Sequence, residues 1–275
     1  MKIAFAGKGG AGKTTLAAWL GDYLARRGEN VWLVDADTAL SLGLASGLEA
    51  ESLPTPLVDR EDIIRGHIGQ GYMSLNPDVS GLPETLCVPL PLGGPPFEGA
   101  TPGTKRLLVM GTVQGAAGGC ACAANALLKA VLAHLILERR EWVLVDMEAG
   151  VEHLGRGTVA DVDALVVVSE PSLRALNTAG EVSRLARGLG LKRQVLALNR
   201  SDLGTALPDL DLPEDVLYVP VLEGLRARQL SSGSVLGLAE DALLNSLCKR
   251  LLRMLGWSHP ALVQPGVPVA IRQNT

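Results

Sequence analysis

The sequence has few aromatic residues, few cysteines and no excess of positive charge. Aromatic residues occupy 3% of the 275 positions, so we expect a core built mainly from aliphatic side chains. The net charge of −4 and the pI near 5.6 give no general attraction to nucleic acid or to an anionic membrane. We therefore expect neither nucleic acid nor a membrane among the binding partners.

Signals for export or membrane insertion are also lacking. The apolar run at residues 2–6 is too short for a signal peptide and leads directly into glycines. No apolar run has the length of a transmembrane helix. Four cysteines in a chain of this size do not indicate a disulfide framework, so their spacing is better interpreted as possible metal chemistry. We expect a cytoplasmic protein.

Short aliphatic runs bounded by Gly, Asp or Pro are frequent. They predict buried parallel strands at 3–6, 31–34, 107–110, 142–145, 164–168, 195–198 and 216–219. Segments with helical spacing lie between them, at 13–27, 123–140, 173–189 and 239–255. This alternation predicts an α/β fold with a doubly wound, mostly parallel sheet flanked by helices. We expect one domain over 1–257, with a Pro- and Gly-rich loop insertion at 83–103 and an irregular tail at 258–275.

The first predicted strand leads into a glycine-rich, phosphate-binding loop. Its residues are Gly7, Lys8, Gly9, Gly10, Ala11, Gly12, Lys13, Thr14 and Thr15. A helix follows the loop, so backbone N–H groups and peptide dipoles favour bound phosphate. We expect Lys13 to reach the β and γ phosphates and the Thr14 hydroxyl to ligate Mg²⁺. The loop predicts an ATPase that binds ATP, ADP and Mg²⁺.

Acidic and amide side chains stand at the ends of later predicted strands. Asp35 and Asp37 follow the second strand, at the edge where open α/β sheets bind ligands. Asp146 follows the strand at 142–145 and is expected to hold the Mg²⁺ hydration shell. Asn199 ends the strand at 195–198, where its amide could read the adenine edge. The alternatives are a strand-end hydrogen-bonding role for Asp35 and a common turn residue for Asn199.

Lys8, at the second position of the loop, marks a deviant Walker A motif. The loop resembles that of the MinD, ParA and nitrogenase iron-protein superfamily, a SIMIBI-type group of P-loop NTPases. In that superfamily this lysine reaches the nucleotide of a second subunit, so the resemblance implies a homodimer with ATP between the subunits. It also places the first switch at Asp37, implying that this carboxylate orients the attacking water and contributes to the Mg²⁺ site directly or through water. The alternative for Lys8 is a solvated lysine beside the phosphates of its own chain.

Cys120 and Cys122 form a C-x-C pair immediately before a long apolar segment predicted to be helical. A helix N-terminus favours the thiolate, which is the metal-binding form. Two thiolates do not complete a tetrahedral site, but a two-fold axis would bring four together, in a set suited to Zn²⁺ or Ni²⁺. The alternative is a pair of small buried residues. Cys87 and Cys248 are expected to be inert core thiols.

The cysteine pair, Lys8 and the second-switch segment at 146–158 together resemble the CooC-type ATPases that mature carbon monoxide dehydrogenase. The resemblance extends from residue 1 to about residue 230 and includes the run Glu152-His153-Leu154-Gly155-Arg156-Gly157. It implies ATP-dependent insertion of nickel, with carbon monoxide dehydrogenase or a related nickel enzyme as the client. His153 is interpreted as a switch residue rather than a metal ligand. The segment 83–103 departs from the family pattern, so the identity of the client stays open.

Two other functions remain open at this point. One is an electron-transfer ATPase like the nitrogenase iron protein, whose cluster-binding cysteines are well separated in sequence, unlike Cys120 and Cys122. The other is a spatial organiser of the MinD or ParA kind, which needs a surface for membrane or DNA. The amphipathic segment 242–257 is the candidate for that surface. A final helix that packs its leucines on the sheet is the commoner arrangement.

Overall fold

The computed structural model describes residues 1–68, 77–111, 120–138, 141–147 and 162–257, without the side chains of 120–122 and 136–138. The strands in these ranges are β1 (Lys2–Ala6), β2 (Val31–Ala36), β3 (Val88–Pro89), β4 (Lys105–Val109), β5 (Trp142–Met147), β6 (Ala164–Ser169), β7 (Gln194–Asn199) and β8 (Asp215–Val219). The helices in these ranges are α1 (Lys13–Arg26), α2 (Leu42–Ala45), α3 (Glu61–Ile68), α4 (Leu82–Leu86), α5 (Cys120–Glu138), α6 (Leu173–Gly188), α7 (Glu223–Arg228) and α8 (Asp241–Met254). The second-switch residues 148–158 and the tail 258–275 lie outside the described residues.

The strands form one sheet in the order β3-β4-β2-β5-β1-β6-β7-β8. All neighbouring pairs are parallel except β3 and β4, where Val88 lies opposite Leu107 in an antiparallel pair. From β1 the chain first moves to one side, through β2, β3 and β4. After β5 takes the place between β2 and β1, the chain moves to the other side through β6, β7 and β8, so the strand order reverses beside β1. In open α/β sheets, ligands bind at such a switch point, outside the carboxyl ends of the strands. The predicted fold class is confirmed.

Helices cover both faces of the sheet. Residues of α1, α2 and α8 pack with Ile3 and Phe5 on one face, whereas α3, α4, α5 and α6 pack with Ala4 and Ala6 on the other. Because both faces are buried, the central strands are almost continuously aliphatic. The leucine stripe of α8 is buried on the first face, so the apolar side of this helix packs on the sheet, which is the commoner arrangement for a final helix. No helix in the described ranges is long and apolar enough to cross a membrane.

The structure adds detail at two places where the sequence has little periodic signal. The predicted loop insertion at 83–103 contains most of α4 and all of β3. Its remainder packs against α1, where the Gly93 N–H donates to Asp22 Oδ1 at 2.7 Å and the Phe97 ring contacts Tyr23 edge to face. These tertiary contacts leave no periodic signal in the sequence. The helix predicted at 123–140 begins three residues earlier, so Cys120 and Cys122 lie in its first turn rather than before it.

A buried ionic cluster joins α1 to β4 and α8. Lys105 Nζ lies 2.8 Å from Asp22 Oδ1, with the Lys105 side chain fully buried. Arg26 Nη1 lies 2.6 Å from Asp241 Oδ1 and 3.8 Å from Asp22 Oδ2. Burial lowers the pKa of Lys105, while the charge of Asp22 raises it. The cluster holds the helices of one face against the edge half of the sheet.

Candidate nucleotide-binding site

The loop between β1 and α1 depends on glycine at two positions. Gly7 has φ +144° and Gly12 has φ +108°, which side chains rarely adopt. A Cβ at Gly7 would lie 2.1 Å from the Val168 carbonyl oxygen, and one at Gly12 would lie 2.4 Å from Asn199 Nδ2. Gly9, in contrast, has open space around it. The first N–H groups of α1 have no intrahelical acceptor, and Lys13 and Thr14 line the adjoining cavity, so this end of the helix suits phosphate.

Residues far apart in sequence meet at the phosphate end of this cavity. Lys13 Nζ lies 3.5 Å from Asp37 Oδ2, and both side chains are largely buried. The Thr14 hydroxyl donates to Asp146 Oδ2 at 2.6 Å and lies 3.5 Å from the Ser41 hydroxyl. The structure therefore brings together the four residues predicted to handle phosphate and Mg²⁺. Ser41 was not predicted.

The buried carboxylates are well suited to a divalent cation. Asp146 Oδ1 is buried and has no hydrogen-bond partner in the described part of the chain. Burial raises the pKa of Asp146 to about 7, although the hydrogen bond from Thr14 and the charge of Lys13 lower it. A cation would give the orphaned oxygen a partner, and hydroxyl and carboxylate oxygens are the ligand type that Mg²⁺ prefers. The residues present thus fit Mg²⁺.

Asp35 organises the backbone beside these ligands. Its Oδ2 accepts from the Leu42 N–H at 2.9 Å and its Oδ1 from the Asp37 N–H at 3.3 Å. Burial raises the pKa of Asp35 to about 6, and the two backbone hydrogen bonds lower it. Asp35 is therefore the strand-end hydrogen-bonding residue that the alternative interpretation described.

Asn199 connects the loop to the end of β7. Its Nδ2 donates to the Ala11 carbonyl at 2.8 Å, and its Oδ1 accepts from the Arg200 N–H at 3.0 Å. The amide retains one further donor hydrogen and one further lone pair. Asn199 also lines the cavity, so recognition of adenine by this residue stays a prediction.

The cavity has a volume of about 840 Å³ and a second, apolar end that was not predicted. Leu16 and Trp19 of α1 form one side of it, and the segment 220–230 forms the other. The flat, mostly apolar ring of a nucleotide base suits a cavity wall of this kind. The strand 216–219 was predicted, and its carboxyl end must open onto the same edge as the other parallel strands. That topological rule could have identified the segment.

Lys8 precedes Gly9, which lines the cavity. It is half-buried, and its carbonyl accepts from the Ala11 N–H at 3.2 Å. Its ammonium makes no hydrogen bond or ion pair with any residue that the structure describes. The side chain therefore remains available to a ligand or to a second chain.

The C-x-C pair lies at the same edge of the sheet as the phosphate loop. Lys2 Nζ, at the start of β1, donates to the Leu135 carbonyl at 3.3 Å, so the later part of α5 lies beside the amino edge of the sheet. From Leu135 back to Cys120 the helix rises roughly 22 Å, at about 1.5 Å per residue. This rise exceeds the length of β1, which spans roughly 17 Å. Helix α5 packs on the sheet and joins the parallel strands β4 and β5, so it runs antiparallel to them. Its first turn is therefore at the carboxyl edge, where the nucleotide cavity opens.

The remaining cysteines are structural. Cys248 is buried in the core, and burial raises the pKa of its thiol. Cys87 is partly buried and its Sγ lies 3.5 Å from the Glu84 carbonyl. Among the residues that the structure describes, no group of three His, Cys, Asp or Glu is placed to hold a metal ion. The side chains of Cys120 and Cys122 are outside that set.

Comparison with known proteins gives consistent relatives. The chain is 42% identical over 199 residues to the carbon monoxide dehydrogenase accessory protein CooC of Rhodospirillum rubrum, covering 70% of this chain and 71% of the relative. It is 39% identical over 206 residues to an uncharacterised ATP-binding protein of Methanocaldococcus jannaschii, covering 73% and 75%. Among solved structures, the MinD cell division protein of Aquifex aeolicus matches with a TM-score of 0.62 at 22% identity, covering 94% of this chain and 98% of that one.

The family model described as the CobQ/CobB/MinD/ParA nucleotide binding domain matches residues 2–253. This range includes the phosphate loop, the strand-end carboxylates and α5. The resemblance to the MinD and ParA superfamily, inferred from the loop and Lys8, is confirmed. The chain belongs to the CobQ/CobB/MinD/ParA family of nucleotide-binding ATPase domains.

Proposed function

We propose that this ATPase is a dimerising metallochaperone that helps insert nickel into carbon monoxide dehydrogenase. The observation that carries the proposal is the position of Cys120 and Cys122 in the first turn of α5, at the nucleotide edge of the sheet. The 42% identity to a carbon monoxide dehydrogenase accessory protein supports this client. Metal binding and nucleotide state would then be coupled because both sites lie at one edge.

Hydrolysis uses the residues gathered at the phosphate end of the cavity. Lys13 neutralises charge on the β and γ phosphates, and the N–H groups at the start of α1 bind the same oxygens. Asp37 accepts a hydrogen bond from the attacking water and so orients it. The Asp37 carboxylate is held beside Lys13 by the 3.5 Å ion pair between them. Thr14 and Asp146 would hold Mg²⁺, which would supply further neutralisation of the phosphate charge.

The position of Lys8 supports the proposed dimerisation. Its ammonium is unpaired among the described residues and lies beside the phosphate loop. In a face-to-face homodimer each Lys8 contacts the phosphates held by the other chain and stabilises the charge of the transition state. ATP binding thereby closes the dimer, and hydrolysis opens it.

The metal ion is cargo in this scheme. A two-fold axis at the nucleotide edge brings Cys120 and Cys122 of both chains together, so four thiolates are available. Thiolates bind Zn²⁺ and Ni²⁺, so either ion can occupy the closed dimer. Opening of the dimer separates the two pairs of ligands and releases the ion to the client. The cytoplasm, where thiols stay reduced, is the compartment that this chemistry requires.

Equilibrium dialysis of Ni²⁺ and Zn²⁺ tests the metal site. Wild-type protein should bind one ion per dimer, and more tightly with ATP, whereas Cys120→Ser/Cys122→Ser protein should bind none at that site. Cys248→Ala is the control, because that thiol is buried on the face of the sheet opposite α5 and its loss should leave metal binding unchanged. Equal binding by wild type and the double variant would refute the metallochaperone function. A brown wild-type protein with visible iron–sulfur absorption would favour the electron-transfer alternative.

Sedimentation of Lys8→Ala protein tests the dimer independently. With ATP and Mg²⁺ the wild type should sediment as a dimer, and the variant as a monomer that still binds ATP. ATP hydrolysis should fall by about 10²-fold or more, because a charge that acts across the interface is lost. Normal dimerisation and normal hydrolysis in the variant would show that Lys8 acts within its own chain or not at all.

A further inference from the structure

The segment between α7 and α8 begins at the apolar end of the cavity and continues to α2. Arg228, the last residue of α7, donates to the Leu236 carbonyl and, at 2.9 Å, to the Gly237 carbonyl. Its neighbours Leu225 and Gln229 line the cavity, while Arg228 itself does not. One guanidinium thus fixes the connecting segment to the helix that forms the cavity wall.

The same segment is attached to α2. The Val235 N–H donates to the Ala45 carbonyl at 3.0 Å, and the Val235 carbonyl accepts from Trp19 Nε1 at 2.8 Å. Contact is close nearby, since a Cβ at Gly233 would lie 3.2 Å from Leu44 Cβ. Any change in the position of residues 233–237 is therefore transferred to α2.

Helix α2 in turn shares an anchor with Asp37. The Leu42 N–H and the Asp37 N–H donate to the two oxygens of the same carboxylate, Asp35. Between them Leu40 has φ +47°, an uncommon backbone conformation for a bulky residue. Such a conformation persists only where the surrounding contacts hold it, so the position of Asp37 depends on the position of α2.

We propose that Arg228 is a positioning residue for ATP hydrolysis. It fixes residues 233–237, which contact α2, and α2 shares the Asp35 carboxylate with Asp37. Through these contacts Arg228 keeps the Asp37 carboxylate at its position beside Lys13. The inference rests on the proposed role of Asp37 in orienting water. Arg228 does not line the cavity, so its loss changes the rate of the chemical step rather than the binding of ATP. A small displacement of a water-orienting group is enough, because a misplacement of about 1 Å by a mutation far from the chemistry can cost about 10²-fold in rate.

Steady-state ATPase kinetics with two matched pairs of variants test this inference. Gly233→Ala pushes on Leu44, and Gly188→Ala, at the end of α6, meets nothing within 4 Å. Arg228→Ala removes the hydrogen bonds to the carbonyls of residues 236 and 237. Its control, Arg187→Ala on α6, removes an exposed ion pair with Asp211. We expect kcat to fall about five-fold or more in Gly233→Ala and Arg228→Ala, with KM within about two-fold of wild type. Both controls should keep the wild-type kcat, and Arg228→Lys should recover part of it.

Circular dichroism melting and ADP titration show whether each variant is folded and binds nucleotide. If Arg228→Ala does not fold, Gly233→Ala alone decides the question, because its single added methyl removes no hydrogen-bonding group. A wild-type kcat in folded Gly233→Ala and Arg228→Ala would overturn the proposal. Asp37→Asn separates the two levels: if it hydrolyses ATP normally, the proposed role of Asp37 fails as well. If it is inactive while the other variants are normal, only the connection through Arg228 fails.

Discussion

The contact between Gly12 and Asn199 allows the construction of the phosphate loop to be measured. In Gly12→Ala protein a side chain at φ +108° costs roughly 1–2 kcal/mol. The new Cβ also displaces Asn199 Nδ2, which it would approach to 2.4 Å. The displaced amide loses its hydrogen bond to the Ala11 carbonyl, which contributes about 1 kcal/mol. We expect the free energy of unfolding to fall by about 2–3 kcal/mol in total.

A double-mutant cycle separates the two contributions. Asn199→Ala alone removes the same hydrogen bond and should cost about 1 kcal/mol. In the double variant that bond is lost only once, so the loss should be about 1 kcal/mol smaller than the sum of the single losses. Gly10→Ala is the control for backbone strain, because Gly10 has φ +78° but open space around it. It should show the strain cost alone.

Urea unfolding followed by far-UV circular dichroism gives the four free energies, and calorimetric titration with ADP gives the accompanying loss of affinity. Gly12→Ala should bind ADP more weakly than Gly10→Ala, because it also moves Ala11. The reasoning is refuted if the single losses add to within about 0.3 kcal/mol in the double variant. In that case the hydrogen bond from Asn199 would not stabilise the phosphate loop.

Two further predictions concern the ionic cluster. Lys105→Ala leaves the Asp22 carboxylate buried without its nearest cation, so the free energy of unfolding should fall by about 3 kcal/mol in urea titrations. Arg106→Ala, the neighbour on the same strand with a partly exposed ion pair, should cost about 1 kcal/mol or less, and equal losses would contradict the prediction. The hydrogen bond from Arg26 lowers the pKa of Asp241 below its usual 3.8, so the stabilisation is complete above that pH and is lost as the pH falls through the lower folded value. As the pH is lowered from about 5 to 2, the melting temperature should therefore fall less steeply in Asp241→Asn than in wild type. The same dependence on pH in both proteins would exclude this contribution.

The phosphate end of the site was predictable because it is local or lies at strand ends. The phosphate loop is contiguous, and Asp37 and Asp146 follow aliphatic runs whose carboxyl ends share one edge in a parallel sheet. Asn199 was located for the same reason. Its hydrogen bond to Ala11 was not, because it depends on how closely β7 approaches the loop.

Elements held by tertiary contacts were not predictable. Helix α2 has four residues and β3 has two, too few for a periodic signal, and each is fixed by hydrogen bonds to distant segments. The strand β4 was predicted to begin at residue 107, where the aliphatic run starts. It begins at Lys105 itself, whose burial depends on Asp22, a partner 83 residues earlier. Sequence patterns contain no information on such pairings.

The wall of the nucleotide cavity has a practical consequence for following the ATPase cycle. Of the four tryptophans in the sequence, Trp19 lines the cavity. Trp32 and Trp142 lie near the amino ends of their strands, at the opposite edge of the sheet, and the ring of Trp257 stacks edge to face on Trp142. Emission from these three is a constant background, and the difference between wild type and Trp19→Phe isolates the signal from the cavity. The protein therefore contains a built-in optical reporter, and the arrival and departure of unmodified nucleotide can be timed without any attached dye.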